Sequence, residues 1–233
     1  MAWISQFAKS SVGAKVLMAL TGVILCGFVL VHMLGNLQVF LGPDAYNAYA
    51  AKIQSMPELV WAVRIILLTS VVVHIYSGLR LAAFNKAARP VPYAQKTWIK
   101  ASLASRTMAL SGLTLLAFII YHLLHFTVGI TDPQNYHLTD ALGRHDVYSM
   151  FVFGFQNIYV SFSYIVAMLL LGAHLSHGAT SLFQSLGLNH PRYNNVITKI
   201  GPVFGTLIAL GNISMPVCVM LGVIQPYTLT MGG

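Results

Sequence analysis

Long apolar runs separated by short polar stretches make up nearly the whole chain, and the runs are where structure must form. The first covers residues 15–41 and stops at Gly42-Pro43, which cannot continue a helix. Four more cover about 58–84, 106–129, 155–183 and 200–224. Each is about 20 residues or longer, the length a helix needs to cross a hydrocarbon layer of roughly 30 Å. None alternates polar and apolar positions as a membrane barrel strand would, so the pattern predicts five transmembrane helices. Gly201-Pro202 and Pro216 fall inside the last run and predict bends that neighbouring helices can accommodate.

The stretches between the runs differ in kind. Residues 44–57 are polar with helix-forming composition, and Glu58 suits the positive end of the helix that follows. Residues 85–105 carry Lys86, Arg89, Lys96 and Lys100, with Pro90 and Pro92 breaking any helix. The longest connection, 130–154, holds Asp132, Asp140, Arg144, His145 and Asp146. Residues 1–14, with Trp3, Phe7 and Lys9, read as an amphipathic lead-in at the membrane surface. The first run is too long for a signal-peptide core and lacks a convincing cleavage site, so it is expected to stay as a membrane helix.

Composition agrees and adds orientation. With 57% hydrophobic and only 8% charged residues, and a mean hydropathy of +0.72, the 233-residue chain is outside the range of soluble domains. It is expected to form one integral membrane domain, residues 1–233. A net charge of +8 could suggest nucleic acid, but its distribution is a topology signal. Five spans place alternate connections on opposite sides. Ten of the thirteen basic residues then fall on one side and all five acids on the other, against the trend only at Lys52, Arg64 and Arg144. The positive-inside rule makes the N-terminus cytoplasmic. Cys26 and Cys218 lie within apolar runs, where packing is the better reading than a disulfide.

Histidines are the chemistry in these runs: His32 in FVLVHMLGN, His74 in VVVHIYSG, His122 and His125 in YHLLH, and His174 and His177 in HLSHG. At about 1.5 Å per residue, His32 lies roughly 25 Å beyond Lys15, and His122 roughly 24 Å beyond Arg106, towards the outer face. Counted from the outer ends, His74 lies roughly 24 Å beyond Glu58 and His174 roughly 27 Å beyond Gln156, towards the inner face. Two depth-matched pairs are what two bis-histidine haems stacked across the membrane require, since each iron takes one axial nitrogen from each side. Small residues (Gly22, Gly27, Gly35, Gly78, Gly112, Gly172 and Gly178) leave room for flat macrocycles. Lys15, Arg80, Arg106 and Lys199 at helix ends are candidate partners for propionates of the inner haem. His125 and His177 stand three residues beyond His122 and His174, so spacing does not decide within either couple. His137, His145 and His190 fall in connections and read as surface histidines.

With these residues in view, nearly the whole chain resembles the membrane cytochrome b subunit of bacterial succinate dehydrogenase and fumarate reductase, in its single-subunit, five-helix, two-haem form. The resemblance rests on FVLVHMLGN, HIYSG, SRTMALSG followed by YHLLH, HLSHGATSLF and the NHPRY turn. It implies His74 and His174 as axial ligands of an inner haem b, and His32 and His122 as those of an outer one. It also implies a flavoprotein subunit carrying FAD and an iron–sulfur subunit docked on the cytoplasmic side of a bacterial inner membrane. Electrons would pass between succinate or fumarate and menaquinone or another quinone, with no nucleic acid involved and higher assembly left open. Relatives place a carboxylate in the outer connection before the second helix; Gln54 stands there here, and Glu58, one turn later, is the candidate to replace it in a quinone site. Some relatives carry an acid two residues before the fourth-helix ligand, where this chain has Gly172.

Two other classes of protein share some of these features. One is the cytochrome b anchor of a hydrogenase or formate dehydrogenase, against which the span count and local motifs weigh. The other is a proton-coupled transporter without haem, which would usually add acids within the spans, and these runs have none.

Overall fold

A computed structural model describes residues 6–7, 10–88 and 102–226 of the chain. Trp3, Lys9, Arg89, Pro90, Pro92, Lys96 and Lys100, singled out above, lie outside the described residues. The fold is all-α. In order it comprises α1 (Ser11–Asn36), a 3-10 extension (Leu37–Leu41), α2 (Pro43–Gln54), α3 (Pro57–Ala87), α4 (Leu103–Arg106), α5 (Met108–His122), a π-helical turn (Leu123–Thr127), α6 (Pro133–Tyr136), α7 (Val147–Gln156), α8 (Ile158–Ser185) and α9 (Asn194–Met220). Five segments among the described residues are long and apolar enough to cross a membrane: Ser11–Leu41, α3, Met108–Thr127, α8 and α9.

The spans show their apolar side chains to the surroundings. Leu59, Ile65, Leu68 and Val72 of α3 and Leu207 and Leu210 of α9 are all exposed. Runs of large apolar surface of this kind are suited to lipid and costly in water. The polar ends are closed locally. Gly42, at φ 95°, ends the 3-10 extension and admits Pro43 at the first position of α2. The Asn157 side chain accepts the Tyr159 and Val160 amides at the start of α8. The Asp146 carboxylate does the same for Ser149 in α7.

By its contacts the chain divides into two compact units, each drawing on part of all five spans. One comprises Met1–Val29, Val63–Leu113 and Leu171–Thr206. Here α9 packs on α8 through glycine. A Cβ at Gly201 would collide with the Ser176 carbonyl oxygen, and one at Gly205 with the carbonyl oxygen of Gly172. This is the close backbone approach that small residues permit in membrane helices.

The second unit comprises Leu30–Ala62, Thr114–Leu170 and Leu207–Gly233. Its core is aromatic: Tyr46, Tyr148, Phe151, Phe155 and Tyr164 pack with Val39, Val152, Met215, Val219 and Ile224. Asn47, 1% exposed, ties α2 to the N-terminal end of α7. Its amide donates to Asp146 at 2.9 Å, and its carbonyl accepts the Tyr148 amide at 2.9 Å. Beside it, Arg144 bridges Asp140 (2.6 Å) and the exposed Asp44 (3.0 Å). Withdrawal from water pushes the Asp140 carboxyl up, but the Arg144 amide and guanidinium and the Leu142 amide outweigh it. The carboxyl is held below its usual range.

Candidate cofactor site

The structure brings the span histidines together in twos, one pair to each unit. In the first unit, the rings of His74 on α3 and His174 on α8 have centroids 6.5 Å apart and planes at 58°. In the second, His32 on α1 and His122 on α5 are 5.7 Å apart with planes at 89°. His125 joins neither pair. It is 4% exposed, its ring stacks on Tyr121 with centroids 5.7 Å apart, and it lies 4.0 Å from the Phe126 ring. His177 is part-buried beside His174 on the same helix.

Hydroxyl groups stand beside the Nδ1 atoms of His74, His174 and His122. Thr21 Oγ1 donates its single proton to a backbone carbonyl, that of Leu17 at 2.8 Å with Met18 at 3.2 Å, and stands 3.2 Å from His74 Nδ1. Ser111 Oγ donates to the Met108 carbonyl at 3.1 Å and stands 3.0 Å from His174 Nδ1. With its proton directed to the carbonyl, each hydroxyl presents a lone pair to Nδ1, an arrangement that suits an Nδ1–H imidazole with a free Nε2 lone pair. In the other unit the Tyr164 hydroxyl lies 3.3 Å from His122 Nδ1 and 3.2 Å from His125 Nδ1. The His32 end of α1 is held by Asn36, whose amide donates to the His32 carbonyl at 2.8 Å and whose carbonyl accepts from Tyr46 at 2.6 Å. Burial, and then neighbouring Tyr49, push the Tyr46 phenol up, so it acts as a donor throughout the physiological range.

This donor set fits a haem iron. A metal–imidazole bond of about 2 Å on either side of one ion puts ring centroids on the order of 6 Å apart, and both pairs fall close to that. Ligating histidines characteristically donate their other nitrogen to a fixed acceptor, and hydroxyl oxygens lie within 3.0–3.3 Å of Nδ1 of His74, His174 and His122. Among the described residues no three His, Cys, Asp or Glu side chains gather as a cluster for a bare metal ion. Imidazoles in twos suit a porphyrin iron, whose other four positions are already filled. Space accompanies them. Cβ atoms at Gly27 and Gly178 would meet nothing within 4 Å, and one at Gly22 would come no nearer than 3.6 Å to the His74 ring.

Lys15, Arg106 and Lys199 are exposed and Arg80 is part-buried, its guanidinium carbon 5.0 Å from the Phe84 ring centroid. All four belong to the unit of His74 and His174. Among the described residues that unit also holds Arg64, Lys86 and Arg192 and no acid, whereas the other holds Lys52, Arg144 and all five acids. Gln54 ends α2 and Glu58 lies in the first turn of α3, both exposed. A cavity of about 270 Å³ is lined by Tyr136, His137, Leu138, Thr139 and His145, none of them a span histidine.

Thr21, Ser111 and Tyr164 were not among the sequence-predicted residues, yet for two of them a signal exists. The pentapeptides Met18 to Gly22 (MALTG) and Met108 to Gly112 (MALSG) differ by one hydroxyl residue for another, and each is followed by a histidine ten residues after its glycine, His32 and His122. His74 and His174 likewise each precede a glycine by four, Gly78 and Gly178. The first two spans and the next two are thus variations on one pattern.

Fold and site together define a multi-pass helical membrane protein with imidazole pairs built into its spans. Residues 7–102 match the model of one family, the succinate dehydrogenase/fumarate reductase transmembrane subunit. Over that segment the chain is similar to the membrane anchor subunit of an oxidoreductase complex. Such subunits are in general haem b-binding cytochromes. The matched segment contains His32, His74 and the MALTG motif. No curated protein and no solved structure matches the chain.

Proposed function

We propose that the chain is the dihaem cytochrome b anchor of a succinate:quinone oxidoreductase in a bacterial inner membrane. The observation that carries this reading is the meeting of the span histidines in two pairs, at separations suited to an axially ligated iron. His74 and His174 hold one haem b by Nε2, and His32 and His122 hold the other. When bound, the haems supply one-electron transfer between redox centres of the attached flavoprotein and iron–sulfur subunits and a membrane quinone. The protein's own part is to orient the imidazoles, exclude water and set the electrostatics. The basic groups Lys15, Arg80, Arg106 and Lys199, all in the unit of His74 and His174, supply counter-charge for propionates of that haem. Their grouping with the other cations, away from the acids, supports a cytoplasmic placing of those chain segments by the positive-inside rule. Gln54 and Glu58, exposed at consecutive helix ends, are the polar groups proposed to meet a quinone carbonyl.

A pyridine haemochrome assay on the purified complex tests this. The wild-type is expected to give two haems b per chain. His74→Ala and His174→Ala each remove one haem, and His32→Ala and His122→Ala each remove the other, distinguishable by midpoint potential. His125→Ala and His177→Ala retain two. A colourless chain from haem-replete cells, or loss of haem from the His125 and His177 variants alone, overturns the proposal.

A further inference from the structure

The two hydroxyls that hold the His74 and His174 rings belong to no motif assigned a role so far, and they arise at equivalent places in the chain. Thr21 and Ser111 each follow Met-Ala-Leu and precede a glycine. Each directs its proton to a backbone carbonyl one turn earlier on its own helix, Thr21 to Leu17 at 2.8 Å with Met18 at 3.2 Å, and Ser111 to Met108 at 3.1 Å. The glycine that follows each one backs the same imidazole its neighbour binds. Cβ atoms at Gly22 and Gly112 would stand 3.6 Å from His74 Cε1 and 3.4 Å from His174 Cε1. Hydroxyl and glycine therefore make a two-residue seat for a histidine on the adjacent helix, α1 seating α3 and α5 seating α8. His74 and His174 thus meet equivalent surroundings from opposite partners.

We infer that Thr21 and Ser111 are paired positioning residues for the haem held by His74 and His174, each fixing its histidine as the Nδ1–H tautomer and tuning that haem's midpoint potential. This rests on the ligand assignment proposed above. Neither hydroxyl touches iron. Each acts through its imidazole, because accepting the Nδ1 proton raises electron density at Nε2 and favours the ferric state. Geometry also makes the hydroxyl, not bulk, the active feature, since a methyl group of equal size cannot accept a proton.

The test is potentiometric titration and low-temperature EPR of the purified complex, with haem counted separately. Thr21→Val and Ser111→Ala are each expected to shift the oxidised/reduced equilibrium of one haem about 3- to 10-fold towards reduced, tenfold being 59 mV for one electron. The double variant is expected to shift it further, and the haem of His32 and His122 keeps its potential throughout. Thr21→Ser and Ser111→Thr, which keep the hydroxyl, retain the wild-type potential and ferric g-values. If the hydroxyl-free variants keep wild-type potential and spectrum, the inference is wrong. If they lose the haem, the hydroxyl-retaining variants decide: wild-type behaviour sustains the inference, and loss there too makes the role steric and overturns it. A wild-type complex without two haems instead refutes the ligand assignment, which the haem count reads independently.

Discussion

Tyr164 shows how one proton can separate two neighbouring histidines. It is 6% exposed, and its hydroxyl lies within hydrogen-bond distance of both His122 Nδ1 and His125 Nδ1. A phenol has one proton to give. If His122 ligates through Nε2, its Nδ1 carries a proton and donates to Tyr164, which passes its own to His125 Nδ1. His125 is then protonated at Nε2 and has no lone pair there for a metal. Tyr164→Phe is accordingly expected to leave buried ring nitrogens without a partner, at a cost of about 1–3 kcal/mol. The haem of His32 and His122 should remain bound with a raised midpoint potential, read by redox titration beside thermal unfolding; an unmoved potential would show that the phenol does not act on the ligand. From the sequence the two histidines are equivalent, three residues apart on nearly one helix face. What distinguishes them comes from α8, forty-two positions along the chain from His122, and local spacing carries no trace of it. The pairing of His32 with His122 and of His74 with His174 was legible, because depth along a helix follows from residue count alone.

Helices place these residues by contacts of two sorts, glycine faces and polar ties. α8 carries His174 between Gly172 and Ser176, the two positions whose backbone meets Gly205 of α9. A side chain at Gly205 forces the helices apart just where the ligand is anchored. Gly205→Leu should cost about 1–3 kcal/mol or more through overpacking and reduce the haem count from two towards one. In the other unit Asn47 is the tie. Asn47→Ala leaves the Asp146 carboxylate and Tyr148 amide short of partners and should destabilise by about 1–3 kcal/mol, measurable as a lower Tm of the solubilised complex. The five spans could be read from the sequence because length and hydropathy suffice for that. α7 could not, since a mostly apolar stretch of ten residues is too short to span a bilayer and resembles part of a connection. The first turn of α9 was hidden for the opposite reason. Asn194, Asn195, Thr198 and Lys199 give it a polar look, yet Asn194 starts the helix and its side chain accepts the His190 amide at 3.0 Å.

For the molecule as a whole, charge governs how it lies in the membrane and how it responds to pH. Asp140 is held below the ordinary carboxylate range, so its stabilising bond to Arg144 is fully present above the unfolded carboxylate pKa and is lost as pH falls through the lower folded value. Acid should therefore loosen the connection around Asp44, Asn47 and Arg144, and Asp140→Asn should flatten the acid limb of a Tm-versus-pH curve. That connection carries three of the five acids, and the charge distribution along the sequence predicts the outer face for it and the cytoplasmic face for the segments with Lys86, Arg106 and Arg192. The assignment can be tested without any haem. In a chain with Cys26 and Cys218 replaced by serine, Leu142→Cys, exposed beside Arg144, should react in intact cells with a thiol reagent that cannot cross the membrane. Arg192→Cys, exposed before α9, should react only after the membrane is opened. The reverse pattern would put the cationic segments outside, where cytoplasmic flavoprotein and iron–sulfur partners could not dock, and the proposed function would fall with the orientation even if both haems were present.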